Sequence, residues 1–157
     1  VALRSPQRAA SLTLIAPAGL GPEIDGEFID GFVRAGRRRD AAEMLRRLVH
    51  DPASVSRAMI EETLRYKRLD GVETALATIA RAWFAEGRQH VKLTERLKQL
   101  AIPVQLIWGR DDCIIPVAQA QALTTHIPVH ILDATGHLPH LEKAGEVSRL
   151  IRQFIDE

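Results

Sequence analysis

The sequence predicts an α/β fold, in which helices cover a sheet of parallel strands. Two short apolar runs, 104–108 and 129–132, each stop at residues typical of turns. Apolar runs of this length, bounded by turn residues, are typical of buried parallel strands. Parallel strands need a crossover connection, and the segment between the two runs is long enough for one helix. A third apolar run, SLTLIA at 11–16, predicts another strand of the same sheet.

The elements outside the sheet follow from apolar spacing and from turn residues. Residues 1–10 are predicted to be the tail of a helix, and the Pro- and Gly-rich segment 17–22 is the loop that leaves the first strand. A crossover helix is expected over 117–125. The chain closes with an amphipathic helix over 142–155, in whose first turn the negative charge of Glu142 is favoured by the helix dipole.

The long middle segment, residues 23–100, contains no convincing strand and is predicted to be helical. Apolar residues recur there at spacings of three and four, most regularly over 72–84. Asp51 is the expected N-cap of one of these helices, with Pro52 at its first helical position.

The middle segment is much longer than a simple crossover requires. A crossover needs about a dozen residues and one helix. We therefore expect a partial core made of residues 1–21 and 101–157, and a separate helical cap at 22–100. A lid over the carboxyl edge of the sheet would exclude water and shape a substrate pocket. Helical decoration unrelated to a site is the alternative.

Composition excludes several classes of function. The 21 Lys and Arg residues nearly balance the 20 Asp and Glu residues, so the charge predicts no binding of nucleic acid or of an acidic membrane. No apolar run approaches the ~20 residues that cross a bilayer. The single cysteine, Cys113, cannot form an internal disulfide and suits a reducing compartment, so a cytoplasmic location is expected.

Two residues that can perform acid–base chemistry follow neighbouring strands. Asp112 and His137 each come just after an apolar run, and the carboxyl ends of parallel strands meet at one edge of a sheet. A histidine held by a carboxylate can activate a serine nucleophile. Asp111 competes for the acid role. Asp112 is favoured because it leads into the apolar return 113–116, and Asp111 is then expected to cap or bind the loop backbone.

Other side chains near these loops have weaker claims to a function. His137 and His140 form H-x-x-H, but zinc needs a third ligand at a suitable spacing, so no metal site is predicted. His140, Trp83 and Phe84 are candidates for a substrate pocket, with backbone binding or helix packing as the alternatives. Cys113 is interpreted as a packing residue.

The motifs around both candidate residues resemble a known family. WGRDDCIIP followed by DATGHLPHLEKAGEV resembles the last two strand–loop units of the α/β-hydrolase fold. In that family the acid of W-G-x-x-D-x-x-x-P corresponds to Asp112, and the histidine of the G-H motif corresponds to His137. SLTLIAPAG resembles the sixth strand, and residues 22 to about 95 resemble the helical cap. The resemblance implies the C-terminal portion of the fold, with three parallel strands, flanking helices and an inserted cap.

One branch of this family is especially similar. The run LTLIAPAGLGPEIDGEFIDGF resembles the dihydrolipoamide acetyltransferase components of acetoin dehydrogenase complexes. This resemblance implies acetyl transfer from a thiamine-bound donor to lipoamide and coenzyme A, a homo-oligomer or multienzyme complex, and a small acyl or ester substrate. Hydrolysis of an ester, thioester or carbon–carbon bond is the alternative.

The sequence departs from the family in its nucleophile. The family's serine lies in G-x-S-x-G on a sharp turn between a strand and a helix. None of the five serines lies in that motif: Ser5, Ser11, Ser54, Ser56 and Ser148. We therefore expect the nucleophile, the oxyanion-hole donors and the N-terminal half of the fold to lie upstream of Val1. A non-catalytic interaction module is the alternative.

Overall fold

The structure, a computed structural model, describes residues 1–156 and contains one parallel sheet. Its strands are β1 (Leu12–Ile15), β2 (Val104–Gly109) and β3 (Val129–Leu132), and they lie side by side in that order. Both neighbouring pairs are parallel, so all three strands end at the same edge. This confirms the predicted α/β fold with three parallel strands and flanking helices.

The central strand β2 is buried along its whole length because it is covered on both faces. Leu106, Ile107 and Trp108 have no exposed surface. Leu106 and Trp108 belong to the larger of two hydrophobic clusters, whereas Ile107 packs on the other face with Val147 of the C-terminal helix. Burial on both faces explains why this strand has a continuous apolar sequence.

Helices make up most of the remaining chain. Within residues 1–156 the α-helices are α1 (Gly26–Arg34), α2 (Arg38–Arg47), α3 (Arg57–Lys67), α4 (Val72–Trp83), α5 (Thr94–Lys98), α6 (Ala118–Gln121), α7 (Pro139–Glu142) and α8 (Ala144–Asp156). None of these helices combines the length and the apolarity that crossing a bilayer requires.

Helices α1 to α5 connect β1 to β2, and several of them share the main core with the sheet. Their buried side chains lie in the same cluster as the central strand. The helical residues that contribute include Phe28, Met44, Leu45, Ile60, Leu64 and Leu97. The segment between β1 and β2 therefore shares one continuous core with the sheet.

Several helix boundaries differ from the predictions. Residues 1–10 contain only one 3-10 turn, Pro6–Arg8, and the crossover helix predicted over 117–125 is a single turn, α6. The predicted closing helix is split between α7 and α8, because Lys143 has non-helical angles (φ −132°, ψ 44°). Glu142 therefore ends α7 and is not in the first turn of α8.

The expected N-cap at Asp51 caps a 3-10 turn and not the helix. Its side chain accepts a hydrogen bond from Ala53 N, and the turn ends after three residues. The following helix, α3, is capped by Ser56, whose hydroxyl accepts from Met59 N at 3.1 Å. The chain thus has two successive caps, and the second one begins the long helix.

Helix α4 shows the limit of a periodicity argument. It has the most regular apolar spacing of the middle segment, yet none of its residues is buried. It packs against α1 and α3, and leaves Ile79 51% and Trp83 48% exposed. The pattern predicted the helix correctly, but a sequence pattern does not show whether another element covers the apolar face.

Candidate active site

The turn that carries Asp112 continues directly from the end of β2. Arg110 N donates to Leu132 O and Asp111 N donates to Thr135 O, both at 2.9 Å, so this turn stays beside the loop that follows β3. Gly109 makes this approach geometrically feasible. A Cβ atom there would lie 2.0 Å from Gly136 O, which is far inside van der Waals contact.

The turn that carries His137 is held by hydrogen bonds at three successive residues, 135–137. Thr135, fully buried, donates from its hydroxyl to Asp133 O at 3.0 Å. Gly136 N donates to a carboxylate oxygen of Glu142 at 2.8 Å, and His137 N donates to Leu48 O at 2.8 Å. The last contact comes from the loop after α2, so the helical segment reaches the backbone of the histidine itself.

The structure brings the Asp112 and His137 side chains into contact. His137 Nδ1 lies 2.9 Å from Asp112 Oδ2, and the Asp112 side chain has no exposed surface whereas that of His137 is 20% exposed. A buried carboxylate is costly unless donors surround it. Asp112 has them: Oδ1 accepts from Ile114 N at 2.8 Å and Ile115 N at 2.9 Å, and Oδ2 also accepts from Trp108 Nε1 at 2.9 Å.

This arrangement has a defined chemical capacity. A carboxylate at Nδ1 favours the tautomer that carries the proton there, and it stabilises the imidazolium ion. The other ring nitrogen, Nε2, is then the basic atom. The pair can therefore accept a proton from a group placed near His137 Nε2.

Asp111 does not make the contacts that were expected of it. Its Oδ2 lies 2.8 Å from His50 Nδ1, and both side chains are more than two-fifths exposed. The loop backbone is bound by Asp112 instead. The prediction for Asp111 was therefore wrong, because Asp112 both contacts the imidazole of His137 and accepts the hydrogen bonds of the loop backbone.

The other candidates lie in varied surroundings. Cys113 is exposed, which does not fit a packing role, and its Sγ contacts Asp111 O at 3.4 Å. His140 is exposed on α7 and Trp83 is half exposed on α4. Phe84 lines a cleft of about 960 Å³ formed with α1 and α2, and neither member of the acid–histidine pair lines that cleft. Among the side chains of residues 1–156, no three His, Cys, Asp or Glu are placed to hold a metal ion.

Three contacts at this site were missed in the sequence. The spacing W-G-x-x-D could have indicated that Trp108 donates to an acid four residues later. Glu142 was interpreted only through the helix dipole, although it accepts hydrogen bonds from Gly136 N and from His50 N. His50 gave no signal, because it is 92 residues from Glu142 along the chain.

Comparison with known proteins places these features in a wider group. The chain matches the alpha/beta hydrolase family over residues 1–150. It is 36% identical over 155 residues to the dihydrolipoyllysine-residue acetyltransferase component of the acetoin cleaving system of Cupriavidus necator, and 39% identical over 155 residues to that of Pseudomonas putida. Each alignment covers 99% of this chain and 41% of the relative. The chain thus spans less than half the length of these relatives.

More distant relatives are named as hydrolases. A 2-hydroxy-6-oxononadienedioate/2-hydroxy-6-oxononatrienedioate hydrolase of Cupriavidus pinatubonensis is 26% identical over 166 residues, covering 98% of this chain and 56% of the relative. The structure superposes on the meta-cleavage product hydrolase CumD of Pseudomonas fluorescens IP01 with a TM-score of 0.83 at 20% identity, covering 99% of this chain and 58% of that one. For carboxylesterase CesB of Bacillus subtilis the TM-score is 0.76 at 18% identity, with 98% and 54% covered. The sequence match over almost the whole chain agrees with the parallel sheet and its helices, and the chain belongs to the alpha/beta hydrolase family.

Proposed function

We propose that this chain supplies the acid and the base of a Ser-His-Asp acyl-transfer site, with Asp112 as the acid and His137 as the base. The observation that supports this is the 2.9 Å contact between His137 Nδ1 and the fully buried Asp112 carboxylate. Asp112 keeps the proton of the neutral imidazole on Nδ1. Nε2 then takes the proton of the attacking hydroxyl and later gives it to the leaving group.

The nucleophile of this site is proposed to lie outside the 157 residues. The serine of such a site sits in G-x-S-x-G, which this sequence does not contain. The 41% coverage of the acetyltransferase components leaves room for that motif and for the oxyanion-hole donors in the other part of the fold. Reading the coding sequence before Val1 tests this directly. A long upstream reading frame without G-x-S-x-G would contradict the proposal.

The proposed reaction is acetyl transfer to a thiol, within a homo-oligomer or multienzyme complex. Support comes from the 36% and 39% identity to acetyltransferase components of acetoin cleaving systems. The acetyl group would come from a thiamine-bound donor, and lipoamide and coenzyme A would be substrates. Hydrolysis of an ester, thioester or carbon–carbon bond is the second candidate, favoured by the 26% identity to a 2-hydroxy-6-oxononadienedioate hydrolase.

The acceptor distinguishes the two candidates. The full-length protein is incubated with S-acetyl-dihydrolipoamide, with and without coenzyme A, and the products are separated. If the protein transfers acetyl groups, acetyl-coenzyme A should form at least as fast as free acetate. Release of acetate alone, at a rate that coenzyme A does not change, would favour the hydrolase instead.

The segment at 22–100 is proposed to act as a lid beside this site, with residues 1–21 and 101–157 as its partial core. Two features support the proposal: the helices α1 to α5 interrupt the chain between β1 and β2, and the loop after α2 contacts His137 N. A lid in this position would exclude water from the acyl intermediate. Trp83, Phe84 and His140 stay candidates for the substrate pocket.

The role of His137 is tested by one substitution and a matched control. In the full-length protein, turnover of p-nitrophenyl acetate by His137→Ala is expected to fall by a factor on the order of 10³ or more, because the general base is lost. The matched control is His126→Ala, which changes an exposed histidine in the loop just before β3 and should keep wild-type turnover. Equal turnover in all three proteins would refute the proposed role.

A further inference from the structure

One carboxylate joins the loop after α2 to the turn that carries His137. Glu142 Oε2 accepts a hydrogen bond from His50 N at 2.7 Å, and Oε1 accepts one from Gly136 N at 2.8 Å. A third hydrogen bond, from His137 N to Leu48 O at 2.8 Å, connects the same two segments directly. The residue before the histidine and the histidine itself are thus both tied to the loop.

The two segments are in backbone contact, with no space for a side chain between them. A Cβ atom on Gly136 would lie 2.8 Å from His50 N, from Leu48 O and from the carbonyl carbon of Val49. These are backbone atoms, which cannot move aside as the end of a flexible side chain can. Only a glycine at 136 therefore allows the loop to come close enough for Glu142 to bridge it.

The helix dipole does not explain the contacts of Glu142. Glu142 lies in α7, which has only four residues. The two groups that donate to its carboxylate, His50 N and Gly136 N, both lie outside that helix. The same loop also contacts the neighbouring turn that carries Asp112: His50 Nδ1 lies 2.8 Å from Asp111 Oδ2, but both side chains are more than two-fifths exposed. Exposed pairs of this kind contribute little. Both backbone hydrogen bonds accepted by Glu142 are charge-assisted. The one from His50 N is exposed, whereas the one from Gly136 N is partly buried and is therefore the stronger part of the bridge.

We propose that Glu142 is a positioning residue that fixes His137 against Asp112 by bridging His50 N and Gly136 N. This inference rests on the proposed function of His137 as the general base. Catalytic groups must be held within about 0.5 Å of their productive positions. Without the carboxylate, the turn at 136 is tied to the loop after α2 only by the bond from His137 N to Leu48 O, and the imidazole can shift away from Asp112.

The test combines a spectroscopic and a kinetic measurement on Glu142→Gln and Glu142→Ala. The glutamine keeps the size of the side chain but has one acceptor oxygen, whereas the alanine removes both. Long-range ¹H–¹⁵N correlation spectra report which nitrogen of His137 carries the proton, and turnover of p-nitrophenyl acetate by the full-length protein gives kcat and KM. Glu146→Gln is the matched control, because Glu146 lies on the first turn of α8 and its nearest ion pair is a 3.8 Å contact with Arg149.

In the wild-type protein the proton of His137 is expected on Nδ1. In Glu142→Gln the share of the other tautomer should rise several-fold, and kcat should fall on the order of 10- to 100-fold with KM nearly unchanged. Glu142→Ala should show a larger effect in the same direction, and Glu146→Gln should match the wild type. If the alanine variant does not fold, the glutamine variant decides the test.

Two results would overturn the inference. The first is an unchanged His137 tautomer and kcat in a folded Glu142→Gln protein. The second is a lower unfolding temperature with an unchanged tautomer, since Glu142 would then only stabilise the fold. The proposed function has a separate test: it fails if His137→Ala keeps wild-type turnover. In that case the tautomer measurement still decides whether Glu142 positions His137.

Discussion

The indole nitrogen of Trp108 lies 2.9 Å from Oδ2 of Asp112, the oxygen that also faces His137. The indole is completely buried, and its N–H also lies 3.2 Å from Ile115 O. This side chain therefore fills the core and at the same time orients the carboxylate. Trp108, which lies in a run predicted to be a buried apolar strand, therefore also donates a hydrogen bond within the candidate site.

Replacing Trp108 with Phe keeps most of the aromatic ring but removes the donor. The buried charge of Asp112 then loses one of its hydrogen bonds, and we expect the free energy of unfolding to fall by about 2 kcal/mol. Urea denaturation followed by circular dichroism measures the change. Trp83→Phe is the matched control, because Trp83 is 48% exposed and its replacement should change stability by less than about 0.5 kcal/mol. Equal losses in both variants would mean that the bond to Asp112 contributes nothing.

Asp112→Asn tests the choice between the two neighbouring carboxylates. The asparagine has the same size but no negative charge, so it can neither hold the correct tautomer nor stabilise the imidazolium ion. Turnover of p-nitrophenyl acetate by the full-length protein should fall by a factor on the order of 10⁴, by analogy with serine proteases. Asp111→Asn alters an exposed residue and should retain most of the turnover. The reverse order of effects would assign the acid role to Asp111.

Gly109→Ala tests the close approach of the two turns. The added methyl group would meet Gly136 O at 2.0 Å and Thr135 O at 2.3 Å, so the turns that carry Asp112 and His137 must separate. We expect the free energy of unfolding to fall by about 3 kcal/mol or more. Gly145→Ala is the control, because a methyl group there meets nothing within 4 Å and the residue is helical. That variant should be as stable as the wild type, or more stable by about 0.5 kcal/mol. A Gly109→Ala protein of unchanged stability would contradict the contact.

The 157 residues tested alone should show no burst of p-nitrophenol from p-nitrophenyl acetate. An acid and a base without an activated serine cannot form an acyl-enzyme. Stopped-flow absorbance at the start of the reaction measures the burst, with heat-denatured protein as the blank. A burst that His137→Ala abolishes would show that this chain contains a nucleophile of its own.

Some features could be predicted because their causes are local in the sequence. Each strand is a short apolar run with turn residues at its end, and both Asp112 and His137 follow directly from such ends. Their contact then depends only on the parallel pairing of β2 and β3. The preference for Asp112 over Asp111 used the direction of the following loop. His137 Nδ1 lies 2.9 Å from Asp112 Oδ2, and the acid role of Asp112 stays a prediction.

Other features depend on how distant segments are placed, which periodicity does not contain. The bridge made by Glu142 joins residues 92 positions apart, and it exists only because the loop after α2 rests on the turn at Gly136. The break of the last helix at Lys143 has no proline or glycine at that position to mark it. Helix α4 was predicted from its apolar spacing, but its exposure is set by the absence of a covering element within residues 1–156.

The order of the strands also has a consequence for how the chain folds. Asp112 and His137 are 25 residues apart, whereas Thr13 of β1 and its partner Gln105 of β2 are 92 residues apart. Closing a longer loop costs more entropy, and pairings between distant residues slow folding. We therefore expect β2 and β3 to pair first and β1 to join them last, with the amides of β1 protected latest in pulsed hydrogen exchange. The acid–histidine contact would then already exist before the sheet is complete.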